Sequence, residues 1–214
     1  PERYLLVGSA GFAAALGALM TPPGAGAPAA SPDATARSVA PVLGIVGSLS
    51  ERSREQAACL RERRRPVCID VSPGQPGDEA ARAVLALEQG RDVLVATVPP
   101  TGTRADPATD DDGASAEALA RALGTIASEA LQRVPTTRLF VTGGDTAVAV
   151  LGALHARVVH VYREIAPGVP AMTIAARVGG RELEVAAITK AGGFGETTVM
   201  DEAFVCLREG TCLE

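Results

Sequence analysis

The stretch Thr142-Gly143-Gly144-Asp145-Thr146-Ala147 constrains the fold more than any other part of the 214 residues. It follows the apolar run Arg138-Leu139-Phe140-Val141 and opens the Ala-rich run Val148 to His155, the pattern of a strand stopping where a helix starts. Paired glycines at such a junction let the backbone turn tightly and approach a ligand, because no Cβ intervenes. The unpaired N–H groups of the first helical turn, with the positive end of the helix dipole behind them, then suit a phosphate. A plain tight turn carries the same signature. A second loop, Thr189 to Glu196, sets Gly192, Gly193 and Gly195 after the run Leu183 to Ile188, with Lys190 beside them. Neither loop is a P-loop or a spaced dinucleotide fingerprint.

Together the two loops point to a nucleoside triphosphate. The amides of Gly143, Gly144, Gly192, Gly193 and Gly195 are expected to hold phosphates, with Lys190 as a mobile cation; a surface lysine at a strand end is the competing reading. Asp145 either holds Mg²⁺ through water or serves as the helix N-cap, and Thr146 is a donor to phosphate or metal-bound water.

Bulk composition narrows the function classes. A chain of this length with 47% apolar residues builds one large α/β domain or two small ones. A net charge of −5 gives no basic face for nucleic acid. The basic cluster Arg61-Glu62-Arg63-Arg64-Arg65 falls at a helix end, where cations complement bare carbonyls; a partner or oligomer contact is the alternative. Cys59, Cys68, Cys206 and Cys212 form no CxxC and have no metal-type spacing with His155 or His160, so no Cys/His metal site is implied; they read as reduced thiols of a cytoplasmic protein. The run Leu5 to Met20 is too short to span a bilayer and lacks the basic start of a secretory signal. A strand, Tyr4 to Val7, turning into a buried helix, Phe12 to Leu19, is expected there.

Thr21 to Pro41 is rich in Pro, Ala and Gly and reads as a linker. Beyond it, Val42 to Val46 is a strand and Glu51 to Arg64 a helix with Ser50 as N-cap, which makes a third strand-to-helix junction carrying the Ser48 hydroxyl. A strand over Pro66 to Val71, a helix over Asp78 to Gln89 with Ala81, Val84 and Leu85 on one face, and a strand over Arg91 to Val98 continue the alternation. Pro99 to Ala114, with Asp110-Asp111-Asp112, is a long polar loop that caps the next helix; a divalent-metal reading of the run competes. Ala116 to Val134 is a regular helix with Leu119, Leu123, Ile126, Ala130 and Leu131 at helical spacing. After a helix over Thr146 to Ala156, strands follow one another at Val158 to Ile165, Ala171 to Val178 and Arg181 to Thr189, and a helix over Thr198 to Arg208 closes the chain. The expectation is an α/β, three-layer domain with a mixed, largely parallel sheet flanked by helices, its glycine junctions converging on one edge.

Four pieces in order, GSLSERSREQ (Gly47 to Gln56), TGGDTA (Thr142 to Ala147), EIAPGVP (Glu164 to Pro170) and TKAGGFG (Thr189 to Gly195), resemble the C-terminal, nucleotide-binding domain of the four-carbon acid sugar kinases, the family of D-threonate, D-erythronate and 3-oxo-tetronate kinases. Asp145 stands where Glu is often found in that family, and Ala191-Gly192-Gly193-Phe194-Gly195 where Ser-Gly-Asn-Phe-Gly is common; both changes leave the backbone cradle intact. The resemblance implies ATP and Mg²⁺, a nucleotide contact by Ser48, and a turn at Pro167 to Pro170 close to the base; Ser48 as a mere turn cap, or Gln56 as a polar residue on an exposed helix, would look the same. It also implies a substrate domain carrying an Asp-Asp motif, which does not precede Pro1. The expected division is therefore 1–20 as the end of that domain, 21–41 as linker and 42–214 as nucleotide-binding domain. Such a fragment binds ATP or ADP weakly, phosphorylates no sugar acid alone, and leaves the catalytic residues unknown. Its partners are a nucleotide, a sugar acid only with the missing domain, and a second copy in a homodimer. A non-catalytic anion-binding module or an effector-like interaction protein on the same fold is the alternative.

Overall fold

The computed structural model describes residues 10–20, 39–72, 78–97 and 111–213. The chain divides into two compact units, Pro1–Ser31 and Pro32–Glu214. The first contains helix α1 (Ala10–Met20). The helix expected there exists, but Leu19 and Met20 are exposed rather than buried, because no second described element in this unit covers them. The strand expected at Tyr4 to Val7 and Thr21 to Ser38 of the linker lie outside the described residues.

The second unit runs β1 (Val42–Val46), α2 (Glu51–Arg64), β2 (Val67–Val71), α3 (Glu79–Glu88), β3 (Val93–Thr97), α4 (Asp111–Arg133), β4 (Arg138–Thr142), α5 (Gly144–Ala153), β5 (Val158–Ala166), β6 (Val169–Val178), β7 (Arg181–Lys190) and α6 (Val199–Glu209). Its seven-stranded sheet has the order β2-β3-β1-β4-β7-β6-β5. The strands from β2 to β7 in that order pair in parallel, and β6 and β5 extend them as an antiparallel meander. The sheet is thus mixed and largely parallel, as expected. Residues of β1 are buried throughout, the mark of a central strand covered on both faces.

One face packs Leu43, Ile45, Leu139 and Val141 against α3, α4 and α5. The other packs Val42, Val46, Phe140 and Ile188 against α2 and α6, with the rings of Phe140 and Phe204 6.0 Å apart. The strand-and-helix alternation is read correctly from the sequence, with three adjustments. In α3 the buried side chains are Ala83, Ala86 and Leu87, while Leu85 is 57% exposed; with alanines on every side, apolar spacing did not single out the face. Helix α4 begins at Asp111, five residues before its expected start; Val98, the expected end of the third strand, and 99–110 of the loop, including Asp110, lie outside the described residues. Helix α5 begins at Gly144 rather than Thr146. Ala40 and Pro41, grouped with the linker by composition, are packed: the Arg138 amide donates to the Pro41 carbonyl at 2.9 Å. Among the described residues no helix is long and apolar enough to cross a membrane.

Candidate nucleotide site

Strands β1, β4 and β7 are neighbours and parallel, so the loops that leave their carboxyl ends lie side by side. The chain departs from them to alternate faces, to α2 after β1, to α5 after β4 and to α6 after β7. That reversal opens a crevice at the sheet edge, the place where open α/β sheets take ligands. The Ser48, Gly144 and Gly193 turns therefore meet, although nearly the whole domain separates the first from the last in sequence.

Direct contacts join the loops. The Gly47 amide donates to the Thr142 carbonyl at 3.1 Å, and the Gly143 amide to the Lys190 carbonyl at 3.2 Å. A Cβ on Gly47 would overlap Thr146 Oγ1, and one on Gly192 would overlap Ser48 Oγ. Only glycine permits these approaches. Ser48 Oγ donates to Ser50 Oγ at 3.1 Å and accepts from the Ser50 amide at 3.4 Å. Gly47, Ser48, Gly143 to Thr146 and Gly192 line a cavity of about 310 Å³, with Leu119 and Leu123 of α4 as its apolar wall. Asp145 is the one carboxylate among its lining residues.

The second glycine loop is held from the inside by its carbonyls. Ser50 Oγ and Ser53 Oγ donate to the Gly192 carbonyl at 3.0 and 2.9 Å. Gln56 Nε2 lies 2.9–3.0 Å from the carbonyls of Phe194, Gly195 and Glu196. Lys190 Nζ donates to Ala191 and Gly192 at 2.9 Å and to Phe194 at 3.3 Å. With its carbonyls engaged, the loop leaves the amides of Gly192, Gly193 and Gly195 without an acceptor among the described residues. Successive free N–H groups of this kind make a concavity for an oxyanion. The first-turn amides of α5, at Gly144, Asp145 and Thr146, add the terminal donors that every helix leaves unpaired.

Several expectations about individual residues change. Lys190 is neither a mobile cation nor a surface lysine: it is 3% exposed and spends its donors on its own loop. Burial, reinforced by the nearby Arg52 guanidinium, pushes its ammonium down to about 8. Gln56, which an exposed helix would also have explained, is fully buried. Asp145 is not the N-cap of α5; Gly143 holds that position at φ 110°, and Asp145 is exposed in the first turn. Thr146 is buried, its hydroxyl packed towards Gly47 rather than standing open.

Sequence reasoning passed over Ser53, Arg52 and Thr142. The stripe of α2 that faces the protein is Ser53, Gln56, Ala57 and Leu60, helical spacing with a polar first half, which is the signal of a helix packed on backbone rather than on apolar core. Arg52 projects from the first turn of the same helix and contacts Thr197 Oγ1 at 3.3 Å. Thr142 ends β4 opposite Lys190, fully buried, and its hydroxyl has no partner. The Pro167-Gly168 turn reaches the second glycine loop as well: a Cβ on Gly168 would stand 2.5 Å from the Phe194 ring. Among the described residues no group of three or more His, Cys, Asp or Glu side chains is arranged to hold a metal ion.

A family model described as a nucleotide-binding C-terminal domain matches residues 43–200, which span all three junctions. A D-threonate kinase from Cupriavidus necator is 35% identical over 95% of this chain and 47% of its own length. A 3-oxo-tetronate kinase from the same organism is 33% identical over 76% of this chain and 37% of its own length. A solved Bordetella bronchiseptica domain of unknown function, a domain-swapped dimer with bound citrate, superposes with a TM-score of 0.60 at 30% identity, covering 79% of this chain and 41% of that one. The chain spans about half the length of the curated relatives it matches. Motif order, sheet topology and these matches agree, and the chain belongs to the C-terminal, nucleotide-binding domain family of the four-carbon acid sugar kinases.

Proposed function

We propose that the chain binds the polyphosphate of ATP, with Mg²⁺, in the crevice between the β1, β4 and β7 loops, as the nucleotide half of a kinase for a four-carbon sugar acid. The observation that carries this reading is the second glycine loop, whose carbonyls are occupied by Ser50, Ser53, Gln56 and Lys190 so that its glycine amides stay free. Gly192, Gly193 and Gly195 on one side and Gly144, Asp145 and Thr146 on the other supply neutral donors to phosphate oxygens, with Ser48 between them; the Gly143 amide, expected among the donors, is spent on the Lys190 carbonyl. Fixed donors of this kind stabilise charge without having to reorient. Asp145, the one carboxylate lining the crevice, would hold Mg²⁺ through water, and the ion would neutralise phosphate charge. Lys190 acts as the brace of the loop. Arg52, whose exposed pair with Glu55 at 3.2 Å costs little to break, is the cation able to swing to the phosphates.

The acceptor follows from the relatives named for D-threonate and 3-oxo-tetronate, and the side chains that choose it are assigned to the half of their length that this chain does not match. On this reading 1–20 closes the substrate domain, 21–39 links, and the rest, with Ala40 and Pro41 packed into it, binds nucleotide in a cytoplasmic enzyme. The domain-swapped dimer of the Bordetella relative supports a homodimer. Isothermal titration of the 214-residue chain with ADP and MgCl₂ should give saturable heat, and silence at millimolar nucleotide would reject the reading. Incubation with ATP and D-threonate should yield no phosphorylated product.

A further inference from the structure

The end of the sheet away from the glycine loops carries a second cavity, of about 350 Å³, where the carboxyl ends of α2 and α3 meet the C-terminal turn of α6. Arg64, Arg65, Arg91 and Arg208 line it, with Asp92 and Phe204. Four guanidinium groups around one carboxylate stand out in a chain whose formal charge is −5.

Helix carbonyl ends attract cations, and that accounts for part of the cluster. Arg63 and Arg64 pair with the buried carboxylate of Asp201 at 3.1 and 2.5 Å. Arg208 pairs with Asp92 at 2.5 Å and donates to the Gly90 carbonyl at 3.2 Å. Asp92 is committed further, since it accepts from the Val42 amide at 3.0 Å. The side chains of Arg65 and Arg91 are exposed and have no hydrogen-bond or ion-pair partner among the described residues, so both guanidinium groups are free to meet a ligand. Arg65 also occupies the cap of α2 at φ 50°, a left-handed position where glycine is the default and a side chain costs about 1 kcal/mol. Strain at a cavity-lining arginine is the kind of local cost that persists at ligand sites.

We propose that this cavity binds a compact polyanion with two or more phosphate or carboxylate groups, gripped by Arg65 and Arg91 and flanked by Arg64 and Arg208. Guanidinium forks match both oxyanions bidentately, and the volume suits a small molecule rather than a chain segment. The site is separate from the nucleotide crevice and does not depend on the reading given for it.

Inorganic pyrophosphate and citrate, titrated separately into the full chain, test it and distinguish the two oxyanion chemistries. R65G/R91A is the informative variant, because glycine relieves the left-handed cap and keeps the fold intact. Binding at this cavity should weaken at least about tenfold in R65G/R91A with no fall in melting temperature. In K190M, binding here should be unchanged, while any second pyrophosphate event at the glycine loops is reduced. Pyrophosphate-only or citrate-only binding that R65G/R91A abolishes assigns the phosphate or the carboxylate class. Equal affinity in wild type and R65G/R91A for both probes, or no binding of either, overturns the proposal.

Discussion

The hydroxyl of Thr146 fills the space into which a Cβ at Gly47 would project. A residue at the end of β1 and one in the first turn of α5 are thereby packed face to face, which joins the first two loops of the crevice. Gly47→Ala should push α5 outward and destabilise the domain by about 1–3 kcal/mol, the usual cost of overpacking. Gly47→Ala combined with Thr146→Ala should recover part of that loss in urea unfolding, since the overlapping hydroxyl is gone.

Gly192 and Gly193 are adjacent, yet they should respond differently to the same substitution. A Cβ on Gly192 would run into Ser48 Oγ, whereas one on Gly193 meets nothing within 4 Å. Gly192→Ala should lower the melting temperature by several degrees. Gly193→Ala should stay within about 0.5 kcal/mol of wild type and instead weaken ADP, because its methyl group enters space left for ligand. Equal melting curves for the two variants would contradict the packing of Ser48 on the loop.

Gln56 braces the loop through a single amide nitrogen. Gln56→Leu removes the donor to the Phe194, Gly195 and Glu196 carbonyls and frees them to rotate towards the crevice. The Phe194 carbonyl keeps Lys190, so the expected cost is about 1–3 kcal/mol for whichever of the Gly195 and Glu196 carbonyls is left dry and unpaired. Hydrogen exchange at Gly193 to Glu196 should quicken in Gln56→Leu more than exchange in β6 does.

Lys190 sets a pH dependence. Its ammonium is held down to about 8 from an ordinary 10.5, so the charge beside the loop is present at neutral pH and lost as pH rises through 8. ADP affinity should therefore fall between pH 7 and pH 9, and Lys190→Met should bind more weakly at pH 7 and lose that slope. Stability changes in the opposite sense. Between about 8 and 10.5 the unfolded chain holds the extra proton, so raising pH through that window favours the fold at this residue. A titration of ADP affinity that is flat from pH 7 to pH 9 in the wild type would remove Lys190 from the site.

The order of strands and helices, the glycine junctions and the change from alternating elements to a meander are all legible in the chain. They rest on local causes: the period of apolar residues, a Ser50 that caps α2 through the Ser53 amide, and glycines where the backbone turns. The nine candidate site residues are read from the chain on the same local grounds, since each sits at or beside such a junction. Their roles were not legible. Lys190 reads as a free cation until β7 is seen to lie beside β4, which buries its side chain and leaves only its own loop's carbonyls to satisfy it. Gln56 reads as a solvated polar residue until α2 packs on a backbone loop about 140 residues further along the chain, separations that no local pattern encodes. Strand order is decided by long-range pairing among interchangeable apolar segments. Only the folded sheet brings β1, β4 and β7 together, and with them the three turns that line one candidate site.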